Sequence, residues 1–121
     1  MNQLHHQQWS DVIVERKVEW EGGPESRAVL LIPRFRRGPL AKWLQPRLKR
    51  PYIRVTLDDL GSFVWKHFDK DTPFSRIAQA MRDNFGDKAE PAEDRLKKFL
   101  LLLRNNKFVE LYEPASSTQK S

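Results

Sequence analysis

The hydrophobic period of this chain changes from two to about 3.6 near residue 57, and that change limits the folds open to it. Before it, apolar residues alternate or run in short blocks bounded by Gly and Pro. After it they recur about every three to four residues, which lays a single stripe of a helix on a core, whereas alternation lays down one face of a strand. Val12-Ile13-Val14, then Val18 with Trp20, predict a first strand or pair of strands closed by Gly22-Gly23-Pro24. In that turn glycine is expected to supply a positive φ and proline to fix its own. Arg27 to Ile32 predicts a second strand ended by Pro33, and the β-branched alternation from Tyr52 to Thr56 a third.

Beyond the change, Asp58 or Asp59 is positioned to cap a helix whose apolar side holds Leu60, Val64 and Phe68, with Phe63 and Trp65 beside them. Asp71 and Thr72 ahead of Pro73 predict a second helix start, with Pro73 at its first position. That helix carries Phe74, Ile77, Ala78, Met81 and Phe85 on one stripe and stops at Gly86. A third opens at Pro91, places Glu93 and Asp94 in its first turn and turns Leu96, Phe99, Leu100 and Leu103 inward, ending near Asn105-Asn106. Phe108 to Tyr112 alternates again as a closing strand. The expected class is α+β: a small winged-helix-like domain with a three-stranded antiparallel sheet, three helices and a short closing strand. Its boundaries read as a flexible N-terminus at 1–10, one domain over 11–114 with a basic loop inserted at 35–51, and a disordered tail at 115–121.

Composition narrows the chemistry. The chain has no cysteine, which excludes disulfides, thiol nucleophiles and cysteine-ligated metal. The apolar run Phe99 to Leu103, which no other run exceeds, falls far short of the roughly 20 residues that cross a bilayer. Met1 to Ser10 is polar and lacks the apolar segment of a signal peptide, so the expectation is a soluble cytoplasmic protein without a membrane partner. The net charge of +6 is unevenly placed. Residues 1–33 carry three basic and five acidic side chains, residues 34–57 eight basic and none acidic, and residues 58–121 eleven of each sign. Arg34, Arg36, Arg37, Lys42, Arg47, Lys49, Arg50 and Arg54 thus form the basic patch, which attracts anionic partners or simply solvates a loop.

Residues 52–112 resemble the PqqD family, the pyrroloquinoline quinone biosynthesis D proteins and related precursor-peptide recognition elements. The residues that carry the resemblance are Val55-Thr56-Leu57, Phe63-Val64-Trp65, Asp69 through Thr72, Ile77-Ala78, Phe85-Gly86, Phe99-Leu100 with Leu103, and Phe108-Val109. The chain departs from the pattern with Lys70 where a glycine usually follows the turn aspartate, with Asp58 in place of an asparagine, and with the lengthened basic loop. The resemblance implies a non-catalytic adaptor, a peptide chaperone without cofactor or metal. Such an adaptor holds the leader segment of a ribosomally made precursor peptide for a radical-SAM or other modifying enzyme. The implied mode is strand addition to the sheet edge Tyr52 to Thr56, with the third helix as groove wall.

Helical arithmetic bears on that wall independently. Relative to Leu96, Phe99, Leu100 and Leu103 fall within about 60° of one line, while Leu101 and Leu102 fall about 140° and 240° round. The expected peptide-binding set is therefore Tyr52, Arg54, Val55 and Thr56 on the strand with Lys97, Lys98, Leu101, Leu102 and Arg104 on the helix. Alternatively the closing strand, or a second copy of the chain in a homodimer, covers the two leucines, leaving a structural or interaction module with no peptide substrate. DNA binding ranks third, because the third helix offers leucines and acids where a reader needs polar side chains for base edges. For catalysis, His5-His6 and the isolated His67 lack convergent partners, and Asp69 with Asp71 reads as turn chemistry rather than an acid–base pair.

Overall fold

The structure, a computed structural model, describes residues 6–33 and 52–113. In chain order these form a 3-10 turn at His6–Asp11, then strands β1 (Ile13–Arg16), β2 (Glu19–Gly22), β3 (Ala28–Pro33) and β4 (Tyr52–Thr56). Helices α1 (Asp59–Lys66), α2 (Phe74–Phe85) and α3 (Ala92–Asn105) follow, with a 3-10 turn at Gly86–Ala89, and β5 (Val109–Tyr112) closes the chain. The class is α+β, as the change of period predicts. The elements gather into two compact units: Val18–Ser62, and the chain up to Lys17 together with Phe63 onward.

In the first unit β2, β3 and β4 form an antiparallel sheet in that order. The central strand β3 buries Ala28, Val29, Leu30 and Ile32, which is why it reads as a nearly continuous apolar run rather than a clean alternation. The β2–β3 turn corrects the expected role of its glycines. Positive φ falls on Glu25 (59°) and Ser26 (63°), while Gly23 has an ordinary φ of −114°. Gly23 is needed for space instead: a Cβ there would lie 2.7 Å from Val29 Cγ2. Its N–H donates to Arg27 O at 2.7 Å and closes the turn.

The sheet hands over to α1 through two side chains. Asp58 Oδ1 accepts the Gly61 N–H at 2.8 Å, so of the two aspartates it is Asp58 that caps the helix. Asp59 instead accepts from Arg27 Nε at 2.9 Å. Ser62, buried to 3% exposure, completes the β3–β4 ladder where that ladder ends. Its Oγ accepts the Ala28 N–H at 2.8 Å and donates to Leu57 O at 3.1 Å, while the Leu57 N–H donates to Ala28 O at 2.9 Å.

In the second unit β1 pairs antiparallel with β5, Val14 opposite Leu111, in a two-stranded sheet of its own. The core there is Val64, Trp65, Phe68, Phe74, Ile77, Ala78, Met81, Leu96, Leu100 and Leu103, all buried. Phe68 belongs to that core but lies beyond α1, which ends at Lys66. Arg16 donates from Nε and a terminal nitrogen to Trp65 O, at 3.2 and 2.9 Å, so a cation meets carbonyls at the negative end of α1.

The start of α2 also differs from expectation. Asp69 Oδ1 accepts from the Asp71 N–H and from the Thr72 hydroxyl, each at 2.8 Å, so both residues are spent in an Asx turn. Pro73 itself stands at the cap position, extended (φ −74°, ψ 167°), and no side chain caps the helix. Gly86 ends α2 with φ 60°, where a side chain would be strained. Phe85 and Phe99 are half-buried, and Phe85 meets Phe63 edge-on at 5.2 Å. His6–Asp11, which overlaps the stretch 1–10 expected to be flexible, forms the first 3-10 turn, and Trp9 packs against Phe74 at 5.4 Å.

Candidate functional site

An outer strand exposes every second backbone amide and carbonyl, and the register decides which. On β4 the Leu57–Ala28 bond fixes the bonded pairs of the ladder as Leu57/Ala28, Val55/Leu30 and Ile53/Ile32. The N–H and C=O groups of Tyr52, Arg54 and Thr56 therefore point away from β3, and among the described residues no strand pairs with them. The closing strand β5 lies against β1 instead. Of the strand residues expected to bind peptide, Tyr52, Arg54 and Thr56 thus share one open edge, whereas the Val55 backbone is committed to β3.

The side chains of β4 are unusually open for so β-prone a strand. Tyr52 is 41% and Ile53 46% exposed, Arg54 and Thr56 are exposed, and only Val55 is half-buried. Ile53 was missed by the alternation argument, which places it on the covered face with Val55. The Arg54 guanidinium donates to Glu21 on β2. Such an exposed pair is worth little to stability, and because β3 lies between the two strands it draws the Arg54 guanidinium across the sheet, away from the outer edge.

The helix residues belong to the other unit, and they divide. Leu96, Leu100 and Leu103 are buried on the stripe that the helical angles predict; off it, Leu101 is half-buried and Leu102 is 58% exposed, although the angles set Leu101 the farther from the stripe. Lys97 lies with Nζ 5.8 Å above the Trp9 ring, a cation–π contact, and Lys98 pairs with Asp94 at 3.6 Å one turn earlier. Arg104 lines a groove of about 460 Å³ with Lys17, Lys107, Val109, Glu110 and Leu111. None of these last five belongs to the peptide-binding set that the sequence predicts; Lys17 and Lys107 are 90 residues apart in the chain and meet only through the β1–β5 pairing. Of the basic patch, Arg54 is described, whereas Arg34, Arg36, Arg37, Lys42, Arg47, Lys49 and Arg50 lie outside the described residues.

Ionisable groups that could do chemistry are engaged structurally. The Thr72 hydroxyl and Asp71 N–H hold the Asp69 carboxyl below its ordinary range, which suits a turn acceptor and not a proton donor. His67, just past the end of α1, donates its Nδ1–H back to Phe63 O at 2.8 Å. Arg82 donates to Glu90 at 2.8 Å and to Glu93, and these bonds hold both carboxyls down. Among the described residues no three His, Asp or Glu side chains stand together as metal ligands, and no helix is long and apolar enough to cross a membrane.

A family model described as coenzyme PQQ synthesis protein D (PqqD) matches residues 52–109, from the first residue of β4 to the first of β5. No curated protein and no solved structure matches the chain. The matched segment holds the open strand, all three helices and the Asp69 turn in one continuous stretch, and through it the chain is similar to the PqqD family.

Proposed function

We propose that this protein is a non-catalytic adaptor that captures an extended peptide, the leader segment of a ribosomally made precursor, on the outer edge of β4 and presents it to a modifying enzyme. The observation that carries this reading is the row of outward amides and carbonyls at Tyr52, Arg54 and Thr56, which no described strand uses. A peptide laid antiparallel or parallel to β4 gains backbone hydrogen bonds there, and the exposed Tyr52 and Ile53 side chains supply apolar contact on either face. The match of residues 52–109 to the PqqD family supports the class of function. The acids at the start of α3, Glu93 and Asp94, are both exposed and argue against a DNA reader, since they would face phosphate.

The test is a titration of the isotope-labelled chain with the leader segment of a precursor peptide encoded beside its gene, read by amide shifts. The amides of Tyr52, Arg54 and Thr56 are expected to move. Arg54→Pro deletes one outward N–H while leaving every bond to β3 in place, and should weaken capture by roughly tenfold. Unmoved β4 amides at saturating peptide would end the proposal. The same open edge suits a second copy of the chain, and concentration-dependent gel filtration without peptide distinguishes that module from a peptide carrier.

A further inference from the structure

We propose that the outer edge of β5, with the basic groove beside it, docks an acidic extended segment of a partner protein. The edge follows from the register. The Lys17 N–H donates to Phe108 O at 2.8 Å, which places Lys17/Phe108 among the bonded pairs of the β1–β5 ladder. Alternation then makes Glu15/Glu110 and Ile13/Tyr112 bonded pairs as well. Val109 and Leu111 are left with their N–H and C=O groups turned away from β1, and among the described residues no strand takes them up.

The charge beside that edge identifies the occupant. The groove of about 460 Å³ is lined by the same Val109 and Leu111, with Lys17, Arg104 and Lys107 beside the carboxylate of Glu110, and Lys17 also pairs with Glu15 at 3.9 Å, which leaves three cations against two carboxylates. A cation near a helix C-terminus complements its dipole, which accounts for Arg104 in the last turn of α3. It does not account for Lys17, which arrives from the end of β1. Lys107 sits at φ 65°, a position that glycine fills more cheaply, and its ammonium adds to the same groove. A strand with Glu or Asp at alternate positions would bond to Val109 and Leu111 along its backbone and set its carboxylates among the three cations.

The occupant is a partner protein rather than the peptide proposed for β4, because this surface is an addition to the family's segment. The match ends at residue 109, so β1 and all of β5 after Val109 lie outside it. The two edges also fail independently, since Arg54→Pro removes the β4 donor and touches nothing on β5.

The experiment titrates the full isotope-labelled chain with a synthetic peptide of alternating Glu and Val, and in parallel with one of alternating Ser and Val. The Glu peptide is expected to shift the Val109 and Leu111 amides, to bind roughly tenfold tighter than the Ser peptide, and to weaken as salt rises. Lys17→Glu and Arg104→Glu, both at exposed positions, should each weaken it by about tenfold, and Arg54→Pro should leave it unchanged. Shifts confined to Tyr52–Thr56, equal binding of the two peptides, or full affinity in Arg104→Glu would each overturn the proposal.

Discussion

Replacing Ser62 with Ala tests how the β4 edge is held. The hydroxyl stands between two strands: it accepts the Ala28 N–H at 2.8 Å and donates to Leu57 O at 3.1 Å, at a site only 3% exposed. Alanine removes one oxygen, which leaves too little room for a water to replace it. The Ala28 N–H is then buried without an acceptor. Leu57 O loses one donor, and a carbonyl in that condition suffers less than an amide. Taken together the cost is about 1–3 kcal/mol, dominated by the stranded donor. With a urea m-value of about 1.5 kcal/mol/M, the midpoint should fall by about 0.7–2 M at unchanged slope. A local readout accompanies it: the Ala28 amide should exchange faster than its β3 neighbours. A midpoint within about 0.3 M of the parent, with Ala28 still protected, would show that the hydroxyl is not what ties the end of this ladder.

Gly23→Ala should cost about 1–3 kcal/mol through the clash of its Cβ with Val29 Cγ2, and a Gly23→Ala/Val29→Ala cycle should recover part of it. An alanine that costs nothing would mean the turn relaxes freely. Lys107 stands in the left-handed position after α3, with its N–H on Arg104 O and the Phe108 N–H on Leu103 O, the two bonds of a Schellman motif. Lys107→Gly should therefore stabilise the chain by about 0.5–1 kcal/mol in chemical denaturation, and a loss of stability would refute the strain. Arg82 holds the Glu90 and Glu93 carboxyls below their ordinary 4.5, so what the cluster contributes is present above that pH and disappears as pH falls through the lowered values. Arg82→Ala should flatten the fall in melting temperature between about pH 5 and pH 3, and parallel curves for the two proteins would contradict this.

Strands and helices were legible from period alone, because burial of one face imposes the pattern directly. Val12 to Val14, Ala28 to Ile32 and the α2 and α3 stripes all read this way. What the period does not carry is partnership. Nothing between Val14 and Leu111 in the sequence says that β1 leaves its neighbour β2 to pair with the closing strand, since that choice rests on contacts about a hundred residues apart. Local details failed where several residues offered the same chemistry. Asp58 and Asp59 both suit a cap, and only the Arg27 partner of Asp59 separates them. Gly22, Gly23, Glu25 and Ser26 all suit a turn, and the close approach of Val29 reserved the glycine for space and left positive φ to the others. The β4 part of the candidate site was legible as a strand; that it is an edge, and which of its amides face out, required the register.

The two ladders have a practical corollary for building this protein from pieces. Cut anywhere in residues 34–51, the polypeptide yields an N-terminal half ending after β3 and a C-terminal half starting at β4. Each half then brings one strand of β1–β5 and one of β3–β4. Co-expressed, the halves should find each other without a linker, making the chain a natural split reporter whose reassembly restores the open β4 rim.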